Sequence, residues 1–178
     1  MQYFALILFI IICTAIQIFG NQSPDFFYGV SNAHLWHSFT YPFVHGSWLH
    51  LILNMFALGI MLPPISKIWD RKICDSAYSI FRLLAASYIA SVIAGAACAG
   101  DIPTVGASGM AFFLLGVLVI LNPTLNQLKS LLWVAAAVAI QIYFGKSNTA
   151  LHLTSFAFGA LYTIYHEFLK QYVNRTIY

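Results

Sequence analysis

The fold of this chain is decided by the stretch GASGMAFFLLGVLVIL, which covers residues 106–121. After its opening Gly-Ala-Ser-Gly turn the stretch is apolar, and the Asn122-Pro123 pair behind it ends a helix. A helix over residues 107–121 has 15 residues. Its length is about 22 Å, whereas the hydrocarbon core of a bilayer is about 30 Å thick. The stretch therefore predicts a short membrane helix whose first turn is recessed below one surface.

The composition excludes an ordinary soluble domain. Of the 178 residues, 61% are hydrophobic and only 7% are charged, and the mean hydropathy is +0.81. Soluble domains carry about 25% charged residues. Apolar runs of about membrane-spanning length recur along the chain and predict an all-α membrane protein, a six-transmembrane-helix bundle in a single domain over residues 1–178. The predicted spans are 3–19, 46–63, 80–99, 107–121, 128–144 and 149–170.

The first apolar run, residues 3–19, has two interpretations. A signal peptide begins with a positively charged segment, which this run lacks. Because the run is also long and uniformly apolar, a retained first helix is favoured.

The positions of the basic residues predict the orientation in the membrane. Seven lysines and arginines flank one set of helix ends, and Lys146 alone falls on the other side. By the positive-inside rule, both termini are cytoplasmic and the first, third and fifth loops lie outside. A nucleic-acid surface is excluded, because the charges are dispersed over several helix ends. The seven are Lys67, Arg71, Lys72, Arg82, Lys129, Lys170 and Arg175.

The first predicted connection is long and rich in aromatic residues. Residues 20–45 form a long loop with clustered aromatic residues, such as Phe26, Phe27 and Trp36. The cluster fits either the headgroup interface or a packed cap without membrane contact, and the sequence leaves both open.

The second span is predicted to end at Pro63-Pro64, because proline cannot donate a backbone hydrogen bond.

Ser108 is the first candidate for chemistry. It lies in the first turn of the short helix, where backbone N–H groups are free and the helix dipole is positive. Gly106 and Gly109 permit a tight turn and leave space for a substrate backbone. A structural serine that caps the helix would look much the same, so the motif alone leaves both interpretations open.

His152 is the predicted partner of Ser108. It begins the last apolar run, where Ser155 and Gly159 share its helix face and allow a close helix crossing. An imidazole there can act as base to the serine and then as acid to the leaving amine. No carboxylate is predicted at similar depth, since Asp101 falls in an external loop, so the sequence predicts a dyad. A buried structural histidine is the alternative.

His50 and Asn54 are four residues apart and share one face of the second span. Two side-chain donors aimed inwards can bind the oxyanion that forms when a serine attacks a carbonyl. Metal binding by His34, His37, His45 and His50 is the rival interpretation. It is disfavoured because no zinc-protease pattern of two histidines flanking a glutamate occurs.

Taken in order, these motifs resemble the rhomboid family of intramembrane serine proteases, in its minimal six-helix bacterial form. The resemblance extends over essentially the whole chain. It is carried by His45, His50, Asn54, Gly106-Ala107-Ser108-Gly109, His152 and Gly159.

The resemblance implies a role for each matching residue. Ser108 would be the nucleophile and His152 the general base. His50, Asn54 and the Ser108 backbone N–H would form the oxyanion hole, and His45 would be a structural histidine that opens the second helix. The family cleaves single-span membrane proteins near the outer end of the transmembrane segment, within the lipid bilayer and without a metal or cofactor.

This sequence departs from the family pattern at several positions. Trp36 is followed by His37 where arginine is usual, and the aromatic residue after the serine is Phe112 where tyrosine is common. Ser155 stands where glycine is usual, and the region of Pro63-Pro64 lacks a common glutamate. These departures bear on loop anchoring and catalytic efficiency, and they leave the dyad intact.

The sequence therefore predicts an intramembrane serine protease in a bacterial inner membrane, acting on single-pass membrane proteins with no nucleic acid, metal or cofactor. Two other classes compete with it. A catalytically inactive rhomboid-like protein that binds transmembrane helices would lack the serine or the histidine, and both Ser108 and His152 are present. A channel or carrier would line a continuous path with polar residues, whereas the candidates here gather in the outer half.

Overall fold

A computed structural model of the protein describes residues 3–20, 29–73, 78–121 and 148–177. This part of the chain contains five α-helices and two short 3₁₀ turns, Leu35–Phe39 and Tyr41–Phe43. The predicted span 128–144 lies outside the described residues. The helices are α1 (Phe4–Phe19), α2 (Trp48–Lys72), α3 (Ser79–Ala97), α4 (Ser108–Leu121) and α5 (Thr149–Ile177).

The helices confirm the predicted helical membrane bundle. Helices α2 and α3 are long and apolar enough to cross a membrane, and α1 and α4 are shorter apolar helices. Many large apolar side chains lie exposed on the helix surfaces, which suits contact with lipid. They include Phe4, Ile7, Leu49, Phe56, Phe81 and Leu161.

Helix α4 lies at the centre of the bundle, in contact with α2, α3 and α5. Its 14 residues give a length of about 21 Å. Met110, Leu114, Val117 and Leu121 are fully buried. A helix that is apolar on all sides is stable when other helices surround it. Helix α4 is therefore the core helix of the bundle.

Helices α4 and α5 cross with their backbones in direct contact at two glycines. A Cβ atom added at Gly116 would lie 2.1 Å from the carbonyl oxygen of Phe156 on α5. A Cβ atom added at Gly159 would lie 2.0 Å from the carbonyl oxygen of Phe113 on α4. Small residues permit this approach, which supplies the packing energy that holds helices together in lipid.

The predicted end of the second helix at Pro63-Pro64 is wrong, because α2 continues to Lys72 through both prolines. Ser66 Oγ donates to the carbonyl of Pro63 at 2.8 Å. Beyond the prolines Trp69 is buried, and its ring stacks on Tyr162 of α5 with centroids 5.3 Å apart. Burial of this face offsets a proline cost of about 3 kcal/mol, and membrane helices tolerate proline where neighbouring groups compensate.

Lysine side chains cap the ends of α2 and α4 that lie away from Ser108. The Lys72 ammonium donates to the carbonyl of Leu121, the last residue of α4. The Lys170 ammonium donates in turn to the carbonyl of Lys72, the last residue of α2. Both contacts place a cation at the negative end of a helix and satisfy a terminal carbonyl.

The first loop divides its aromatic residues between the protein interior and the surface. Tyr41 is fully buried, whereas Trp36 and Phe39 are exposed. Val30 and Thr104 pair as an isolated bridge with two hydrogen bonds of 2.9 Å, which ties this loop to the segment that precedes α4. The described part of the loop is therefore a packed cap that also presents aromatic rings outwards.

Replacing Gly159 by alanine tests the helix crossing. Because the new methyl group would meet the α4 backbone, we expect the free energy of unfolding to fall by about 1–3 kcal/mol. Thermal unfolding in mild detergent measures the loss. Gly59, with open space around its Cα, is the matched control, and Gly59→Ala should leave stability unchanged or slightly raised. Equal effects of the two substitutions would contradict the crossing.

Candidate active site

The turn before α4 has a shape that only glycine permits. Gly106 has a φ of +107°, and its N–H donates to the Tyr41 carbonyl at 2.9 Å. A Cβ atom at this position would lie 2.7 Å from His50 Nε2 and 3.0 Å from Asn54 Nδ2. The conformation therefore brings the chain just ahead of Ser108 against two polar side chains of α2.

Ser108 and His152 meet across the α4–α5 contact. Ser108 Oγ lies 2.7 Å from His152 Nε2, a normal hydrogen-bond distance. His152 is buried, with 3% of its surface exposed, and Ser108 is half-buried. The Phe112 ring stacks on the imidazole with centroids 4.6 Å apart and planes inclined by 25°. The pair is thus held in one geometry and can transfer a proton.

Asn148 positions the start of α5, and sequence reasoning missed it. Its Oδ1 accepts from the Leu151 N–H at 3.0 Å, as a helix-capping side chain does. Its Nδ2 donates to the Cys98 carbonyl at 2.6 Å and to Thr104 Oγ1 at 3.4 Å. An asparagine just before the last apolar run was a signal for the cap, but its links to α3 and to the loop before α4 depend on the fold.

Asn54 presents unused hydrogen-bond donors to the site. The side chain is buried, and Nδ2 has no hydrogen-bond partner in the described part of the chain. His50, one turn earlier on α2, is half-buried. Its backbone N–H donates to Ser47 Oγ at 3.1 Å, which caps α2 and fixes the first turn. A buried amide without an acceptor costs about 1–3 kcal/mol, which is a reason to look for a ligand that it binds.

His45 supports the turn from the other side. Its Nδ1 lies 3.3 Å from the Phe43 carbonyl, and its Nε2 lies 3.4 Å from the Ala107 nitrogen. A neutral ring with the proton on Nδ1 satisfies both contacts, as donor and as acceptor. Burial, together with the neighbouring His50 ring, lowers the pKa of His45 to about 4, so the ring is neutral at physiological pH.

Tyr41 joins the first loop to α3 and α4, which the sequence did not reveal. Its hydroxyl donates to the Ser91 carbonyl at 2.8 Å and lies 2.5 Å from Ser91 Oγ. Gly95 and Gly109 leave room for the ring and hydroxyl, since an added Cβ would lie 2.6 Å and 3.2 Å from Tyr41 atoms. Gly109 thus serves helix packing, in addition to lying beside Ser108.

The remaining predicted site residues make no hydrogen bond to the reacting pair in the described part of the chain. Ser155 is fully buried one turn along α5, and Gly159 contacts Phe113. His37 is buried in the first loop, with its ring centroid 3.9 Å from that of Trp36. Within residues 3–20, 29–73, 78–121 and 148–177, no three His, Cys, Asp or Glu side chains are grouped to hold a metal ion.

The orienting partner of a serine–histidine–carboxylate triad is not found in the described residues. His152 Nδ1 is buried without a hydrogen-bond partner there. Asp101, the acid nearest to Ser108 in sequence, instead accepts from Asn32 Nδ2 at 3.1 Å on the exposed surface. The arrangement is therefore a serine–histidine pair with amide and imidazole donors beside it.

A helical membrane bundle with a serine and a histidine in hydrogen-bond contact, where two of its helices begin, defines a class of membrane protein suited to acyl transfer. The family model of the Rhomboid domain matches residues 32–167, which is more than half of the chain. The chain belongs to the rhomboid family, whose members are mostly intramembrane serine proteases acting on membrane proteins. No curated protein sequence matches it.

Replacing Asn148 by alanine tests the anchoring of α5. The substitution removes a helix cap and two contacts to neighbouring segments, and we expect a loss of about 1–2 kcal/mol in the free energy of unfolding. Unfolding in detergent measures it. Asn32→Ala, which removes an exposed side-chain hydrogen bond, is the control and should cost less than about 0.5 kcal/mol. A smaller loss at Asn148 than at Asn32 would contradict the anchoring role.

Proposed function

We propose that the protein is an intramembrane serine endopeptidase that cleaves single-span membrane proteins through a Ser108–His152 dyad. The observation that carries the proposal is the 2.7 Å distance between Ser108 Oγ and His152 Nε2. Polar groups inside an apolar bundle are costly, so a buried histidine in contact with a half-buried serine favours a catalytic role over a structural one.

In the first step Ser108 attacks the scissile carbonyl. Its proton passes to His152 Nε2 while the bond from Oγ to the carbonyl carbon forms, and the carbonyl oxygen becomes an oxyanion. When the intermediate collapses, His152 returns the proton to the leaving amine. The carboxyl-terminal fragment leaves as the free amine, and the amino-terminal fragment stays attached through its carbonyl carbon as an ester of Ser108, which is the acyl-enzyme.

In the second step a water molecule hydrolyses the acyl-enzyme. His152 removes a proton from the water, the hydroxide adds to the ester carbonyl, and the proton returns to Ser108 Oγ as the product acid departs. Phe112, stacked on the ring of His152, keeps the imidazole facing Ser108 in both steps.

His50, Asn54 and the Ser108 backbone N–H form the oxyanion hole of the proposed enzyme. The unpaired Asn54 Nδ2 supports this assignment, because a buried amide donor stabilises the negative oxygen more than the neutral carbonyl. The Ser108 N–H lies in the first turn of α4, where N–H groups have no intrahelical acceptor. His45 and Gly106 hold the turn that aims this N–H.

We also propose a setting for the reaction. Residues 1–178 form one domain with both termini in the cytoplasm of a bacterial cell, and the site faces the outer half of the inner membrane. The substrate is cleaved near the outer end of its transmembrane segment. The distribution of lysine and arginine supports this orientation, and the short α4 supports a site below the surface.

Ser108→Ala tests the proposed nucleophile. We expect cleavage of a co-expressed, tagged single-span reporter to fall by roughly 10⁴-fold or more, with expression unchanged. Immunoblotting of the fragments measures it. Ser87→Ala, at a buried serine of α3 whose hydroxyl donates to the Leu84 carbonyl at 2.8 Å, is the matched control and should cleave normally. Persistent cleavage by the Ser108 variant would overturn the assignment of Ser108 as the nucleophile.

Asn54→Ala tests the oxyanion hole separately from the nucleophile. We expect kcat to fall by about 10²–10³-fold with little change in KM, because the lost donor acts on charge that forms only in the transition state. Purified enzyme and a fluorogenic single-span peptide in detergent give both constants. Asn32→Ala is the control with unchanged kcat. A change confined to KM would assign Asn54 to substrate binding instead.

A further inference from the structure

Two buried polar atoms near the reacting pair have no hydrogen-bond partner in the described part of the chain. They are His152 Nδ1 and Ser155 Oγ. His152 is 3% exposed and Ser155 is 0% exposed, so neither is on the protein surface. Unpaired polar atoms of this kind are rare inside proteins, and two on one helix face call for an explanation.

The helix places these two atoms on the same side. Residues three apart in an α-helix have Cβ atoms about 5–6 Å from each other. The Cα–Cβ bonds of a helix are tilted towards its N-terminus, so the Ser155 side chain leans towards the turn that carries His152. A rotation of the serine side chain therefore changes the separation of Oγ and Nδ1 without any movement of the backbone.

During the proposed reaction, His152 Nδ1 carries a hydrogen that requires a hydrogen-bond acceptor. When Ser108 donates its proton towards Nε2, the other ring nitrogen carries the hydrogen. That Nδ1–H is a donor in the neutral ring, and it becomes a stronger, charge-assisted donor once the ring is an imidazolium. The side chain of Asp101, which is paired with Asn32 on the surface, does not fill this need.

On the basis of the proposed function, we propose that Ser155 is a positioning residue of the dyad, whose hydroxyl accepts a hydrogen bond from His152 Nδ1–H while the imidazolium exists. Ser155 keeps its own proton throughout, and no bond to substrate forms. Its hydroxyl hydrogen turns to a backbone carbonyl of the preceding turn, as serines in helices commonly do. The contact holds the tautomer and stabilises the charged ring in both proton transfers.

Ser155→Ala and Ser155→Gly together separate the hydroxyl from the bulk of the side chain. If the hydroxyl acts as proposed, both variants lower kcat by about tenfold and leave KM unchanged. The acidic limb of the kcat–pH profile moves to lower pH in both, because the imidazolium has lost an acceptor and the ring sheds its proton more readily. Ser155→Thr, which keeps a hydroxyl, restores the acidic limb.

Two control variants test whether the shift of the acidic limb comes from the contact between Ser155 and His152. Among the described residues, His50 of α2 is a titratable neighbour of the His152 ring. In His50→Gln the acidic limb should persist even though kcat falls, because the limb belongs to His152. Ser87→Ala removes another fully buried serine hydroxyl from α3 and should move neither kcat nor the limb. The rate of Ser108 labelling by a fluorophosphonate is followed across the same pH range, as a second measurement that needs no substrate.

The outcomes are distinct. Failure of the proposed function gives a wild-type protein with no cleavage and no labelling of Ser108. Failure of this inference gives an active wild type whose Ser155→Ala variant keeps the same acidic limb, whether or not kcat falls. A loss in Ser155→Gly alone assigns the residue to helix packing and overturns the inference. A shared shift of the limb in the alanine and glycine variants, reversed by threonine, supports it.

Discussion

The direct contact between the backbones of α4 and α5 is the constraint on which the rest of the structure depends. At Gly116 and Gly159 each helix lies against a carbonyl of the other. Because both helices begin at the site, this contact fixes the distance between their first turns, where Ser108 and His152 lie. A side chain at either crossing point would force the helices apart and separate the hydroxyl from the imidazole.

The site is completed from outside the two crossing helices. The first loop reaches it through the Tyr41 carbonyl, which binds the Gly106 N–H, and through His45, which contacts the Ala107 N–H. From α2 comes Asn54, whose amide has no acceptor in the described chain. A protein folds with such an unpaired group only where other packing compensates the cost of burying it. Active sites often contain groups that lower stability in this way.

Features fixed by length and hydropathy could be predicted from the sequence. The short α4, the shared face of His50 and Asn54, and the approach of His152 to Ser108 followed from helix geometry and small residues. The passage of α2 through Pro63-Pro64 could not be predicted, because local propensity argues against it and only packing by residues such as Trp69 outweighs the cost. The contacts of Tyr41 with Ser91 and of Asn148 with Cys98 were equally inaccessible, since each joins residues 50 apart in sequence and neither pair has a motif that marks it.

The lysine caps at the far end of α4 bear on how deep the proposed reaction would lie in the membrane. An ammonium group favours the lipid headgroups over the hydrocarbon, and Lys72 and Lys170 together tie the last carbonyls of α4 and α2 to that level. The 14 residues of α4 then fix the distance between this lysine-capped end and Ser108. In the proposed protease, the length of α4 and the thickness of the bilayer would then together set which peptide bond of a substrate reaches Ser108.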